Sequence, residues 1–328
     1  MAELDPHSDD YAALHYCLFQ YAAEAVASLQ EPGRFAHYTS AAVVMDIIQS
    51  EPLRRSLWLR NATEMNDFSE IEFGLDCLEE TLKDQIIGDK FKKAVQQIDE
   101  RMLNWISSAL IAEAPRIKAN TYLLSLAQHD IREQRNGILS MWRAYGGDAN
   151  VCLILKPGPF VTEQTAYDVS LHPVSYGGLR DFRDEFSQMC DRLIERVDDL
   201  RAIDPDVVWF NIKRAIDFMV LSTKHPSFIE EKEWRVIYRP PDPPAVPDVP
   251  SKIVCVNGIV QKVFYLPMVN IPDQGVNGAD LHEVLDRIII GPTPNPPLVI
   301  NAFVELLRQA GIEDAARRVV YCDVPLRR

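Results

Sequence analysis

Lys224-His225-Pro226-Ser227-Phe228-Ile229-Glu230-Glu231-Lys232-Glu233-Trp234-Arg235 is the stretch on which the reading of the fold turns. Two amphipathic helices, near 180–201 and 205–221, run up to it. A strand over 234–238 grows out of it, and the proline-dominated run 239–250 closes that strand, since such a run is neither helix nor central strand. The same grammar repeats upstream. A strand at 56–60 and a polar loop at 61–67 precede two long helices, near 69–86 and 89–113, broken around Gly88, and a strand at 120–126 follows them. Strands separated by helix pairs, most of them alternating, indicate α+β rather than a doubly wound parallel sheet.

Working outward, 9–30 reads as an amphipathic helix carrying Leu14, Leu18, Tyr21, Ala25 and Leu29, stopped by Pro32-Gly33. A strand follows at 34–38, and Thr39 or Ser40 can cap a helix over 41–49. Residues 139–145 suit a short helix ending at Gly146-Gly147, and 151–155 is an apolar strand buried on both faces. Residues 167–176 alternate. Strands near 252–256 and 260–266 lead to a strand–helix–strand end over 284–290, 297–309 and 318–322. The expected organisation is an N-terminal helix, 1–32, and a single α+β domain, 33–328. Its helical insertions lie near 69–113 and 180–221, and its Pro-rich loop at 239–250.

Composition narrows the function classes. Hydrophobic residues make up 47% of the 328, which supports a sizeable core. No apolar run approaches the ~20 residues of a membrane span, and the acidic start lacks a signal-peptide layout, so a cytoplasmic protein is expected. The six cysteines are widely spaced, which suits free buried thiols better than disulfides or zinc. A formal charge of −14 argues against non-specific grip on nucleic acid, though not against a local basic groove. No Gly-rich dinucleotide fingerprint, phosphate-loop lysine motif, zinc-protease helix or serine-hydrolase elbow is present.

Four segments concentrate polar and aromatic residues. In His37-Tyr38-Thr39-Ser40 a histidine can bond a ligand hydroxyl and an aromatic can stack on a planar ring, although a capped helix start explains the same residues. Asn61-Ala62-Thr63-Glu64-Met65-Asn66-Asp67 suits a turn-rich loop. In Ser140-Met141-Trp142-Arg143-Ala144-Tyr145-Gly146, Trp142 and Tyr145 share a helical face, for core packing or ligand stacking, and Arg143 could meet a phosphate. In the fourth, Glu231 and Glu233 alternate, so both can point to one side while Trp234 anchors the strand. A fixed carboxylate at a strand mouth suits stabilisation of a sugar oxocarbenium ion.

These segments resemble domain-of-unknown-function family 2971, a large bacterial family. The resemblance rests on His37-Tyr38-Thr39, on Leu57-Trp58-Leu59 with Asn66-Asp67, on Leu124-Ser125-Leu126 with Met141-Trp142 and Tyr145-Gly146, and on Lys224-His225 with Glu231-Lys232-Glu233-Trp234-Arg235. In order and spacing they cover roughly residues 35–290. That family is more distantly similar to ADP-ribosyltransferases, including DNA-targeting bacterial toxins. The resemblance implies a split mixed sheet decorated with long helices, NAD as substrate, and a toxin or defence role. It also implies an acceptor that is protein, nucleic acid or water. By it, His37 matches the first-strand residue that holds the NAD ribose, Glu233 the catalytic glutamate and Glu231 the residue positioning an acceptor. Tyr38 and Tyr145 are the stacking aromatics, with Thr39, Asn66, Asp67 and Trp142 in the same cofactor-binding segments. Arg60 or Arg143 could neutralise the pyrophosphate.

Two rivals stand beside this reading. Pro205-Asp206 with Glu230-Glu231-Lys232 superficially fits a magnesium-dependent nuclease, whose carboxylates must lie on adjacent strands. A non-catalytic sensor could use the same cleft to recognise a nucleotide or a partner.

Overall fold

The computed structural model describes residues 8–29, 33–51, 54–64, 69–144, 150–161, 169–240, 249–256 and 258–324. Its strands are β1 (Arg34–Ser40), β2 (Ser56–Asn61), β3 (Tyr122–His129), β4 (Asn150–Leu155), β5 (Val169–Pro173), β6 (Glu233–Tyr238), β7 (Ser251–Val256), β8 (Ile259–Pro267), β9 (Leu285–Ile290) and β10 (Val319–Tyr321). They form a mixed sheet in the order β10-β9-β4-β1-β3-β2-β8-β7, with β6 paired to both β3 and β5. The β9–β10 pair is parallel, and the ladders β1–β3, β1–β4, β2–β3, β2–β8, β3–β6, β4–β9 and β7–β8 are antiparallel. This mixed sheet with many helices fits the expected α+β class.

The chain divides into two compact units, one of residues 1–28, 62–121 and 172–228, the other of 29–61, 122–171 and 229–328. The N-terminal helix and both helical insertions fall in the first. Its main helices are Asp9–Ala27, Ser69–Lys83, Gln85–Ile98, Met102–Ala119, Gly178–Glu195 and Pro205–Leu221. All six contribute to one buried cluster, in which Leu14, Cys77, Phe91, Met102, Phe186 and Ile212 meet. The expected break at Gly88 lies elsewhere. Asp84 caps the helix Gln85–Ile98 by accepting from the Ile86 and Ile87 amides, and Gly88 is a buried helical residue. A Cβ on Gly88 would sit 2.6 Å from the Leu82 carbonyl oxygen, so the glycine serves close packing rather than termination.

The second unit contains the sheet, apart from the last two residues of β5. All six residues of β4 are buried, as the apolar run 151–155 implies. On one face Ala36, Tyr38, Ala127, Cys152 and Ile289 pack against Met141 and Trp142 of the short helix Leu139–Ala144. On the other, Phe35 meets Trp234 at 5.5 Å, and Phe264 meets Tyr122 at 4.5 Å and Tyr238 at 4.8 Å between ring centroids. All six cysteines are free thiols, and only Cys255 is exposed. Among the described residues no helix is long and apolar enough to cross a membrane.

Candidate functional site

The local sequence places Glu233 by a turn. Residues Pro226–Glu231 form a 3₁₀ helix, and Lys232 adopts a left-handed backbone conformation (φ 46°) that redirects the chain into β6. Left-handed backbone is uncommon outside glycine and disfavoured for a long side chain. It is held by a bond from the Gln128 amide to the Lys232 carbonyl (2.8 Å), and the Lys232 ammonium meets Glu133 at 2.6 Å. The strand therefore begins at Glu233. Glu231 closes the 3₁₀ turn, half-buried, so the expected strand alternation of Glu231 and Glu233 does not occur.

Register then fixes the company Glu233 keeps. Directly opposed residues of an antiparallel pair share a face, and neighbours along a strand alternate. Ala36, Ala127 and Glu233 form one row across β1, β3 and β6, and Ser125 opposite Arg235 lies on the same face. The Ser125 hydroxyl donates to Glu233 Oε1 at 2.6 Å, while Arg235 donates to Oε1 and Oε2 at 3.0 Å each. The Glu233 and Arg235 side chains are 7% and 3% exposed. A buried ion pair is tolerable only with such bonding, because desolvating each charge costs several kcal/mol.

β3 has an unusual edge. β6 runs along one side of it from Tyr122 to Ala127. On the other side β1 pairs with Ala127–His129, and β2 only with Tyr122 and Leu123. Leu124, Ser125 and Leu126 lie between the two neighbours. His37, one residue past the last β1–β3 pair, turns its Nδ1 to the Ser125 carbonyl at 3.3 Å. Burial lowers the His37 pKa, opposed by that carbonyl contact, so the ring is neutral and Nδ1–H is the donor. Ser125 thus joins His37 through its carbonyl and Glu233 through its hydroxyl. Strict pleating assigns His37 and Thr39 to the face opposite Glu233, so the imidazole and the carboxylate communicate through Ser125 rather than across an open gap.

The aromatic assignments need correction. Tyr38 and Trp142 are 5% and 2% exposed and pack edge-to-face at 4.8 Å, inside the core. The Tyr38 hydroxyl accepts from the Ile138 amide (2.6 Å) and bonds His129 Nε2 (2.8 Å), and Trp142 Nε1 donates to the Asn136 carbonyl (2.7 Å). Both rings are structural because their polar tips are already bonded and no face is open to a ligand. Arg143 is exposed on the helix Leu139–Ala144. Asn66, Asp67 and Tyr145 lie outside the described residues.

Sequence reasoning named Arg60 but gave no role to Trp58, Tyr265 or Lys252, which share this face with it. Arg60 is opposite Leu123, and Trp58 opposite Tyr265, both with Ser125 and Glu233. Trp58 and Tyr265 are half-buried, and the Lys252 ammonium sits 4.4 Å and 5.8 Å from their ring centroids. With Arg235 buried and paired to Glu233, Arg60 and Lys252 are the cations that this face offers on an acidic chain, beside the rings of Trp58 and Tyr265, a combination suited to a phosphate-bearing ligand with a planar ring. The available signals were a polar Ser125 inside an apolar strand and an aromatic–basic alternation in Trp58-Leu59-Arg60. Asp206, by contrast, lies in the first turn of the helix Pro205–Leu221, capped by Asp204, and not on the strand that the nuclease pattern requires.

Neither a curated protein nor a solved structure matches the chain. Residues 141–236, a narrower stretch than the motifs span, do match one family model. That model, whose match takes in Glu233 and Arg235, is of the family described as "Protein of unknown function (DUF2971)", to which the chain is similar over this stretch and which its motifs resemble.

Proposed function

We propose that the face around Glu233 binds NAD and breaks its nicotinamide–ribose bond, passing ADP-ribose to an acceptor or to water, on an ADP-ribosyltransferase-like split sheet. The observation that carries this reading is Ser125. It lies where β1 and β2 part along β3, and it links His37 by its carbonyl to Glu233 by its hydroxyl at 2.6 Å. In this scheme Glu233 accepts a ribose hydroxyl and opposes the positive charge that develops as the C–N bond breaks. The bonding electrons leave with nicotinamide, and a nucleophile beside Glu231, or water, attacks the anomeric carbon. Arg235 and Ser125 hold the carboxylate. His37 is a positioning residue acting through Ser125, and Arg60, on the face of Glu233, serves the pyrophosphate in preference to Arg143. Trp58 or Tyr265 takes the stacking role from Tyr38 and Trp142.

A second reading, a binding module without turnover, draws support from the depth of the Glu233–Arg235 pair, whose oxygens are already engaged. One experiment separates the two. The intact chain and Glu233→Gln are incubated with labelled NAD and cell lysate, and free nicotinamide and labelled product are followed beside a thermal melt. A transferase or hydrolase loses turnover by about 100-fold or more in the folded variant while NAD affinity changes little. NAD binding with no nicotinamide released by the intact chain selects the binding module. No binding and no release overturns both.

A further inference from the structure

We propose that the helical unit carries a second site, for a small organic cation: a protonated amine on an apolar body, seated against His172, Phe218 and Phe19 and facing a rim of carboxylates. It does not depend on the NAD reading. A cavity of about 330 Å³ opens between the helices Asp9–Ala27, Gly178–Glu195 and Pro205–Leu221 and the segment 172–175, at the lower end of the ~300–1,000 Å³ of ligand pockets.

The wall holds one buried hydroxyl without a partner among the described residues, that of Ser222, and beside it the imidazole of His172. His172 is 8% exposed and packs on Phe218 at 4.3 Å and Phe19 at 6.3 Å between ring centroids. Among the described residues neither of its ring nitrogens makes a hydrogen bond. Ser222, on the same wall and 6% exposed, has a hydroxyl that also lacks a partner. Leaving a buried hydroxyl unsatisfied costs ~1–3 kcal/mol, so Ser222 favours an occupant that bonds it, and the neighbouring His172 ring offers that occupant a further hydrogen-bonding group. Burial, with Arg214 and His15 nearby, pushes the His172 pKa down to about 3. The ring is then neutral at ordinary pH and can accept a hydrogen bond from an ammonium.

Charge selects the occupant. Glu24, Asp181, Asp184 and Glu185 line the cavity, with no lysine or arginine among its described lining residues. Glu185 is taken by Arg192 at 2.7 Å and Asp181 by the exposed Arg180 at 3.1 Å. Glu24 accepts only an amide hydrogen bond from Gln20, and Asp184 makes no ion pair among the described residues. Two carboxylates without an ion pair among the described residues, lining the same cavity as Phe19 and Phe218, suit an ammonium with an apolar body. Arg214 already stacks over Phe218 at 5.2 Å, so that ring accepts cations. The helix Asp9–Ala27 leaves helical geometry at Phe19 (φ −122°, ψ 20°), the residue that forms this wall.

The test is calorimetric titration of the full chain with 2-phenylethylammonium and with spermidine, against the uncharged 2-phenylethanol and the anion phenylacetate. Saturable binding of an ammonium is expected, at least tenfold tighter than either control. Asp184→Asn, an exposed position that leaves folding intact, should weaken it about threefold to fivefold. His172→Phe, its fold checked by circular dichroism, should weaken it further, whereas Glu233→Gln should leave it unchanged. Equal binding of the uncharged control, or no saturable binding of either amine, overturns the proposal. So does binding of a lysine-rich peptide with neither amine bound, which would mark the surface as a protein-docking site.

Discussion

Glu233 in the sheet unit and His172 in the helical unit are both buried, at 6% and 8% exposed, yet their surroundings differ. Glu233 has two donors, Ser125 and Arg235, arranged by strand register before any ligand arrives. His172 has two aromatic neighbours and, among the described residues, no hydrogen bond. A satisfied network is rigid and pre-organised, and its value lies in holding one charge at one place. An unsatisfied group beside a cavity is the opposite case, a local cost that an occupant can relieve. The two regions therefore call for different experiments, stability at Glu233 and ligand response at His172.

The largest effect is expected where the network is cut. Glu233→Ala removes the carboxylate that pairs with the buried Arg235 guanidinium, and urea unfolding should show a loss of about 3–5 kcal/mol. Replacing both partners by apolar residues, Glu233→Leu with Arg235→Met, should recover most of it. A single-variant loss below about 1 kcal/mol would mean that Arg235 does not depend on this carboxylate.

pH probes both regions, through His129 on β3 and His172 in the helical unit. The folded state holds His129 and His172 neutral down to about pH 3, mainly through burial. In the unfolded chain each takes a proton near pH ~6.5. Below that pH the unfolded state binds more protons, so stability that is complete above it is lost progressively as pH falls toward 3. Each ring contributes a slope of up to about 1.4 kcal/mol per pH unit in that window. Unfolding at about pH 6 and pH 5 should show that slope reduced in His172→Phe. An unchanged slope would indicate a ring that protonates within the fold.

Smaller effects sharpen the description of Glu233. Ser125→Ala removes the hydroxyl that bonds its carboxylate and should cost about 1–2 kcal/mol in urea unfolding. Lys232→Gly relieves a positive φ but forfeits the contact with Glu133, and the two should nearly cancel, to within about 1 kcal/mol in thermal denaturation. A clear stabilisation would show that the strained turn is maintained for some reason other than folding.

Much of the secondary structure was legible because periodicity is local. The apolar run in β4, the strand after Glu233 and the two long helices near 180–221 all read from side-chain spacing. Boundaries were less so. Gly88 looked like a break because glycine usually is one, yet the break belongs to Asp84, whose carboxylate bonds two amides of the next turn. The candidate site was half legible. His37 and Glu233 stood out by residue type, but Tyr38 and Trp142 stood out for the same reason and proved to be core. An aromatic with a polar tip reads alike in a cleft and in an interior, and only its neighbours distinguish the two.

By itself the sequence determined the class of fold, the positions of most elements, and a carboxylate at the mouth of a strand beginning near Trp234. It could not determine that Ser125 meets Glu233, 108 residues away, or that Arg60 and Trp58 share their face. Those pairings follow from strand order and register, and register assigns each side chain to one face or the other. They exist only once β1, β2 and β6 have come together around β3.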